Sequence, residues 1–229
     1  MKKSSRVLVT GGTGTLGAAL VSALVEANYA VTANYFRDEN RARALQRKTG
    51  CDLHRGDVGE KKTVEKLFET ENFSAIFHLA GTSFDAILRR ISVASWNEQL
   101  RINGQSAFLM ARAALQFLPQ GGHLVLVSSR VAERGFQGQS AYGAGKAAIL
   151  GLMKTAALEG KTRDIRVNAI CPGFAVSALS QKLPDEILER RKRENFLDGA
   201  DARQSFAVLC VWLLQTQLTG QILRPDCRI

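Results

Sequence analysis

The chain is poor in the residues that build metal sites and covalent cross-links. It has three histidines in 229 residues, and no two of its cysteines have the CxxC spacing typical of zinc sites. The four cysteines are Cys51, Cys171, Cys210 and Cys227. We therefore expect no metal site, and we interpret the thiols as reduced, packed side chains of a cytoplasmic protein.

Long apolar runs are also missing. No stretch reaches the roughly 18 apolar residues that a membrane-spanning helix needs. The N-terminal segment Met1–Arg6 leads straight into a short apolar run, whereas a secretory signal needs a longer apolar segment and a small-residue cleavage site. The sequence therefore predicts neither a membrane span nor a secretory signal.

Acidic residues are fewer than basic ones. The chain has 21 Asp and Glu residues against 31 Lys and Arg residues, which gives a formal net charge of +10. Such a surplus attracts polyanions and acidic partners in general. No recognised nucleic-acid motif accompanies the charge, so we expect no specific binding of nucleic acid. The charge run at 189–194 is interpreted as a solvated helix face.

Short apolar runs of strand length alternate with longer segments of helical periodicity. This alternation predicts the α/β class, with a doubly wound parallel sheet of about seven strands and helices on both faces. Without repeats or linkers, residues 1–229 are interpreted as a single domain. The predicted strands are Arg6–Thr10, Ala30–Phe36, Cys51–His54, Ala75–Leu79, Leu124–Ser128, Arg166–Cys171 and Gln221–Arg224. The predicted helices are Leu16–Ala27, Arg41–Lys48, Lys62–Thr70, Trp96–Phe117, Ala141–Gly160 and Ala202–Leu214.

A glycine-rich turn follows the first predicted strand and precedes a predicted helix. Gly11, Gly14 and Gly17 would let the backbone approach a pyrophosphate, and the start of the helix would offer free N–H groups to it. The strand–turn–helix context makes this a dinucleotide-binding pattern of the Rossmann type. The alternative is a glycine turn that binds no ligand.

The end of the second predicted strand indicates which dinucleotide is bound. A site specific for NAD usually has a carboxylate there, whereas this chain has Asn34 and then Arg37. A guanidinium suits the 2′-phosphate of NADP(H), so we expect NADP(H) to be preferred over NAD(H). Asp38 weakens this inference, and Arg37 could also be a solvated residue at the strand end.

Two hydroxyls and an ammonium suggest proton-transfer chemistry. Tyr142 and Lys146 stand at i and i+4, on one face of a predicted helix. A phenol has an ordinary pKa of about 10, and a neighbouring ammonium lowers it. Ser129 follows the apolar strand Leu124–Ser128, at the strand end where parallel sheets bind ligands. The tyrosine and lysine alone could equally be a surface pair.

With Ser129 thirteen residues before Tyr142, the chain resembles the short-chain dehydrogenase/reductase family over nearly its whole length. The resemblance implies that Tyr142 is the general acid in carbonyl reduction and that Lys146 assists it and binds the nicotinamide ribose. It also implies that Ser129 orients the carbonyl and that Asn103 holds a water of a proton relay. Further matching positions are Asp57-Val58, Ala80-Gly81, Asn168, Pro172-Gly173 and Thr219-Gly220.

The resemblance further implies a set of cofactor contacts. Asp57 would bind the adenine amino group, with Val58 beside the ring. The implied contacts are Gly11, Thr13, Gly14, Thr15, Leu16, Gly17, Asn34, Arg37, Asp57, Val58, Ala80, Gly81, Tyr142, Lys146, Pro172, Gly173, Ala175 and Ser177. The chain departs from the single-domain branch at Thr15, at Leu79 and at its C-terminus, where the usual glycine, asparagine and Asp-Gly-Gly close are missing.

Within the family, residues 81–97 and 168–174 resemble the 3-oxoacyl-acyl-carrier-protein reductases of fatty acid biosynthesis. A basic surface would steer an acidic carrier protein towards the chain. Candidate contacts are Arg130, Arg134, Arg163 and the run 190–193. The alternatives are reduction of another ketone (polyketide, quinone, steroid or sugar-derived) and a non-catalytic NADP(H)-binding regulator.

The family also implies further organisation of the chain. Residues 174–200 would form a substrate lid, and the helices at 96–117 and 141–160 would form the interfaces of a homotetramer or homodimer. Small residues in the second of these helices could equally pack within the chain itself. His78 is interpreted as a side chain packed against the sheet and not as a catalytic residue.

Overall fold

A computed structural model describes residues 5–175, 185–192 and 202–225. Its strands form one sheet in which every pairing is parallel, in the order β3-β2-β1-β4-β5-β6-β7. The strands are β1 (Arg6–Thr10), β2 (Ala30–Tyr35), β3 (Asp52–Arg55), β4 (Ala75–His78), β5 (His123–Val127), β6 (Arg166–Ile170) and β7 (Ile222–Leu223). The predicted α/β class is confirmed, and each strand end lies within one residue of the prediction.

Helices cover both faces of the sheet. They are α1 (Thr15–Glu26), α2 (Glu39–Thr49), α3 (Lys61–Thr70), α4 (Val93–Leu100), α5 (Ser106–Phe117), α6 (Val131–Arg134), α7 (Ser140–Glu159), α8 (Asp185–Lys192) and α9 (Ala202–Leu213). Successive strand residues point to opposite faces, so that Leu8 and Leu124 are buried with α3, α5 and α7. Val7 and Val125 are buried with α1 and α9 on the other face.

The helical stretch predicted at Trp96–Phe117 is not one regular helix. It begins at Val93, where the Ser92 hydroxyl accepts a hydrogen bond of 3.1 Å from the Ser95 N–H. Between α4 and α5, Arg101–Gln105 form a π turn. One extra residue in a single turn leaves the apolar pattern helical on both sides, so periodicity does not reveal it. Asn103 lies inside this turn.

The strand order reverses between β1 and β4. From β1 the chain proceeds outward through β2 and β3, and from β4 it proceeds the other way to β7. The glycine-rich turn follows β1, and Leu79–Gly81 follow β4. In open parallel sheets, ligands bind outside the carboxyl ends of the strands at such a reversal. The fold therefore brings the predicted dinucleotide turn and the exits of β4 and β5 to one crevice.

Candidate active site

A cavity of about 630 Å³ opens at the carboxyl ends of the central strands. Its volume lies within the range of small-molecule sites. It contains most of the predicted site residues and joins the glycine-rich turn to the proposed proton-transfer residues. The predicted residues that line it are Gly11, Gly14, Thr15, Leu16, Gly17, Ala80, Gly81, Ser129, Tyr142, Lys146, Pro172, Gly173 and Ala175.

The glycine-rich turn presents bare backbone to the cavity. Gly11 has a φ of +64°, and a Cβ there would come within 2.9 Å of the Ala80 backbone nitrogen. A Cβ on Gly17 would overlap the Gly11 carbonyl oxygen. Helix α1 starts after Gly14, which has no side chain to cap it, and its first turn holds no acidic residue. Its first N–H groups and the helix dipole therefore suit a pyrophosphate.

Lys146 is buried beside Tyr142 on α7. Its Nζ lies 5.9 Å from the centroid of the Tyr142 ring and donates a 2.9 Å hydrogen bond to the Val127 carbonyl oxygen. The side chain is almost without solvent contact, and this burial lowers the pKa of Lys146 from 10.5 to about 8. A group with this pKa exchanges its proton close to neutral pH, whereas an exposed lysine does not.

Two adjacent serines connect β5 to this helix. The buried Ser128 hydroxyl donates a 2.7 Å hydrogen bond to the Lys146 carbonyl oxygen, which fixes α7 against the end of the strand. The Ser129 hydroxyl lines the cavity and accepts a 3.2 Å hydrogen bond from the Val131 N–H. That bond uses an oxygen lone pair, so the hydroxyl hydrogen of Ser129 can still be donated to a ligand.

Asn103 lies behind the cavity wall, and its side-chain amide binds the backbone of that wall. Its Oδ1 accepts from the Thr82 N–H (3.2 Å), and its Nδ2 donates to the carbonyl oxygens of Thr82 (2.8 Å) and Gln99 (3.0 Å). A Cβ added to Gly81 would lie 2.8 Å from Oδ1 of Asn103 and 3.1 Å from Nζ of Lys146. The amide and the ammonium therefore enclose Gly81 closely.

Sequence reasoning missed two glutamines that shape the same wall. Gln99, one helical turn before Asn103, accepts from the Phe84 N–H (3.2 Å) and donates to its carbonyl oxygen (3.1 Å). Gln139 lines the cavity, and its Nε2 lies 3.0 Å from both carboxylate oxygens of Asp85. Its position three residues before Tyr142, at the start of the same helix, was a signal that could have identified it.

This chain is similar to known proteins over nearly its whole length. Residues 12–227 match the family model described as enoyl-(acyl carrier protein) reductase. Acetoacetyl-CoA reductase of Rhizobium meliloti (strain 1021) is 33% identical over 95% of this chain and 94% of its own length. The chain belongs to the short-chain dehydrogenase/reductase family. Its curated relatives are oxidoreductases, and this chain is an oxidoreductase of that family.

Other known proteins are similar to this chain in sequence or in fold. The 3-oxoacyl-acyl-carrier-protein reductase FabG of Staphylococcus epidermidis (strain ATCC 35984) is 30% identical and is aligned over 91% of both chains. A dehydrogenase/reductase from Sinorhizobium meliloti 1021 superposes with a TM-score of 0.89 at 27% identity, covering 97% of this chain and 93% of its own. BdcA in complex with NADPH has the same fold, with a TM-score of 0.88 at 20% identity, covering 97% of this chain and 93% of its own.

At the end of β2, two predicted cofactor residues of this short-chain dehydrogenase/reductase lie outside the cavity lining. The buried Asn34 side chain donates to the carbonyl oxygens of His54 (3.3 Å) and Gly56 (3.1 Å), so it ties β2 to β3. Arg37 is exposed, with its guanidinium 5.4 Å from the centre of the Phe36 ring. Asp38, which argued against NADP(H), accepts a 2.9 Å hydrogen bond from the Arg41 N–H and caps α2.

Other predicted contacts have partners of their own. The Asp57 carboxylate lies 3.0 Å from the Arg101 guanidinium and accepts from the Gly59 N–H at 2.8 Å. Val58 is buried in the apolar core, and Thr13 is half-buried in the turn without lining the cavity. Ser177 lies outside the described residues, as do most residues of the predicted lid.

The basic residues proposed to contact a carrier protein divide between the two edges of the sheet. Arg130 lines the cavity, and Arg134 is exposed on α6 next to it. The Arg163 guanidinium instead donates to carbonyl oxygens at the end of α5, including that of Leu115 at 2.6 Å. Because Arg163 precedes the amino end of β6, it lies at the edge opposite the cavity, away from Arg130 and Arg134.

The described residues offer neither a metal site nor a membrane span. Within residues 5–175, 185–192 and 202–225, no group of three His, Cys, Asp or Glu side chains could hold a metal ion. No helix in those same ranges combines the length and the apolar character of a membrane span. Cys51, Cys171 and Cys210 are buried and form no disulfide with one another, and Cys227 lies outside the described residues.

Proposed function

We propose that this protein reduces a 3-oxoacyl thioester to the 3-hydroxyacyl thioester with NADPH. The observation that carries the proposal is that Ser129, Tyr142 and Lys146 line the same cavity as the glycine-rich turn. The names of the relatives support the thioester class, since they include an acetoacetyl-CoA reductase and a 3-oxoacyl-acyl-carrier-protein reductase.

The chain has groups suited to each part of the cofactor. The turn at Gly11–Gly17 and the N–H groups of α1 would bind the pyrophosphate, and the exposed Arg37 would pair with the 2′-phosphate. Lys146 and the segment Pro172–Ala175 would contact the nicotinamide end. When bound, the cofactor supplies a hydride to the carbonyl carbon.

The protein would supply the proton and hold the carbonyl. Ser129 would donate its free hydroxyl hydrogen to the carbonyl oxygen, and Tyr142 would transfer its phenolic proton to that oxygen as negative charge develops there. The Lys146 ammonium would stabilise the phenolate that Tyr142 leaves behind. Asn103, behind Gly81, would hold the water through which Lys146 exchanges protons with solvent.

Charge would favour a substrate attached to an acidic carrier. The chain has a formal net charge of +10, and Arg130 and Arg134 lie at or beside the cavity. Electrostatic steering of this kind raises the association rate and is screened by salt. The same charges would also attract the phosphates of coenzyme A, so a comparison of the two thioesters identifies the carrier.

A substrate panel tests the proposal. We expect NADPH oxidation with acetoacetyl-CoA or acetoacetyl-acyl-carrier protein at a kcat/KM at least about tenfold above that for simple ketones. Added salt should slow the reaction of the better carrier. Equal rates for all ketones, with no effect of salt, would contradict the thioester proposal and favour reduction of another ketone.

Two further arms of this panel address the remaining alternatives. Crotonyl-CoA tests the enoyl reduction named in the description of the matching family model, and we expect much slower turnover than with acetoacetyl-CoA. Arg37→Ala should raise the Kd for NADPH by roughly tenfold and leave that for NADH unchanged. Tight NADPH binding without turnover of any substrate would favour the non-catalytic regulator.

A further inference from the structure

His78 is the last residue of β4 and is completely buried between β1 and α5. Both nitrogens of its ring have partners. Nδ1 lies 2.8 Å from the Thr10 hydroxyl oxygen, and Nε2 lies 3.0 Å from the Ser106 hydroxyl oxygen. The ring was predicted to pack against the sheet, and it does, but it also joins two polar side chains from different elements.

The neighbouring bonds fix the direction of each hydrogen bond. The Thr10 hydroxyl oxygen accepts from the N–H groups of Leu79 (3.2 Å) and Ala80 (3.3 Å), so its own hydrogen points to Nδ1 of His78. Nε2 then carries the ring hydrogen and donates to Ser106, whose hydroxyl donates to the Ile102 carbonyl oxygen. The result is one chain of hydrogen bonds with a single direction.

The His78 ring stays neutral, as these hydrogen bonds require. Burial and the nearby Lys146 charge lower the pKa of His78 to about 3. A neutral imidazole accepts at one nitrogen and donates at the other, which matches Thr10 on one side and Ser106 on the other. An apolar side chain would fill the same space and leave both hydroxyls without these partners.

Each end of the chain of hydrogen bonds lies next to the active site. Thr10 directly precedes Gly11, and the Ala80 backbone that it binds lies against Gly11 in the cavity wall. At the other end, Ile102 directly precedes Asn103 within the π turn, and the Asn103 amide lies close to Gly81 and Lys146. His78 therefore connects the glycine-rich turn to the π turn through the interior.

We propose that His78 is a positioning residue that fixes the glycine-rich turn and the π turn relative to each other, through Thr10 and Ser106 respectively. In this way it sets where the cofactor pyrophosphate and the Asn103 amide lie with respect to Lys146. The inference rests on the proposed function, because it assigns a role to the same cavity. It adds a residue that does not line that cavity.

Two variants break the chain of hydrogen bonds at opposite ends and should have different effects. Thr10→Val removes the side-chain acceptor of the Ala80 N–H, while the Leu79 N–H keeps the Thr10 carbonyl oxygen at 3.2 Å. We expect the Kd for NADPH to rise by about tenfold or more. Ser106→Ala releases the Ile102 carbonyl, and we expect a loss in kcat of about tenfold and a shifted pH profile, with the Kd for NADPH nearly unchanged. His78→Leu should combine both losses, and His78→Gln should recover part of them.

His123→Leu is a matched control, because it removes another buried histidine from the neighbouring strand β5 at its amino end. Hydrogen exchange of the cofactor-free proteins gives a readout that does not depend on activity. Exchange should rise at residues 79–81 in Thr10→Val and at 102–104 in Ser106→Ala, and at neither segment in His123→Leu.

The positioning role would be overturned if the four variants at Thr10, His78 and Ser106 all resembled His123→Leu. Each would then have a lowered Tm but an unchanged Kd for NADPH, kcat and local hydrogen exchange. A different result tests the proposed function separately. If the parent protein binds NADPH but reduces no thioester, that proposal fails, whereas the exchange data and the Kd values still decide the role of His78.

Discussion

Lys146 places a positive charge where burial makes charge costly. The side chain is almost fully buried, and the Val127 carbonyl oxygen is the acceptor for its Nζ. Burial favours the neutral amine, which is why the pKa falls to about 8. The proposed mechanism needs the ammonium beside Tyr142, so the working form of Lys146 is the one that burial disfavours.

This conflict predicts a pH dependence of turnover. Below pH 8 Lys146 is mostly protonated, and above it the charge is lost, so kcat for reduction should fall as pH rises through about 8. Lys146→Arg keeps its charge throughout this range and should be slower but lack that decline. A parent profile that stays flat well above the pKa of Lys146 would contradict the assigned role.

Gly81 offers a second test with one methyl group. A Cβ at this position would lie 2.8 Å from Asn103 Oδ1 and 3.1 Å from Lys146 Nζ, so Gly81→Ala must displace one of them. We expect kcat to fall by about tenfold to a hundredfold, since small misplacements of reacting groups have effects of this size. Steady-state kinetics with a saturating thioester would measure it.

Gly104→Ala is the control for that variant. It adds a methyl group directly after Asn103 in the chain, but the nearest contact of this group is 4.0 Å away. Activity should remain close to that of the parent. Equal losses in the two variants would show that the region is merely intolerant of alanine.

At the scale of elements, α7 and the π turn determine the site together. A Cβ on Gly145 would lie 2.8 Å from the Asn103 Cβ, so the glycine permits the helix to approach the turn. Gly151 lies six residues further along α7 and would place a Cβ in open space. Gly145 therefore allows α7 to pack closely against the π turn of the same chain. Gly151 has no such packing role within the described residues.

The two glycines form a matched pair of substitutions. Gly145→Ala should destabilise the fold by about 1–3 kcal/mol through overpacking and should lower kcat by shifting Asn103. Gly151→Ala should stabilise the helix by up to about 1 kcal/mol and leave kcat unchanged. Urea denaturation and steady-state kinetics on both proteins would test this pair, and identical behaviour would contradict the close approach.

The sheet and most helices could be predicted because their signals are local. Apolar runs such as Leu124–Ser128 and the glycines after β1 specify strand and turn independently of the rest of the chain. The π turn at Arg101–Gln105 could not be predicted, because both flanking helices keep an ordinary periodicity. Helix α8 was not among the predicted helices, although the charge run at 189–194 was interpreted as a helix face.

The site divides in the same way. Tyr142, Lys146 and Ser129 were found because their spacing in the sequence reflects one helix and one strand end. The roles of Gln99 and Asp38 depend on their hydrogen-bond partners. Gln99 binds the Phe84 backbone, and Asp38 binds the Arg41 N–H at the start of α2. Partners of this kind come from distant or locally folded backbone, which spacing alone does not specify.

In the molecule as a whole, the carboxyl and amino ends of the strands differ in the residues they carry. The carboxyl edge carries the cavity, the glycine-rich turn and the proton-transfer residues. The amino edge holds structural ion pairs and caps, such as Arg6 with Asp52 and Arg163 on the end of α5. Reduction therefore depends on the cavity edge, and a single phenol there is proposed to supply the proton.

Replacing Tyr142 by phenylalanine tests this claim most directly. The phenyl ring keeps the shape and removes only the hydroxyl, so NADPH should bind with a Kd within about threefold of that of the parent. Turnover of acetoacetyl-CoA should fall by about a hundredfold or more, because the proton donor is gone. Parent-like turnover in Tyr142→Phe, with NADPH bound, would contradict the account.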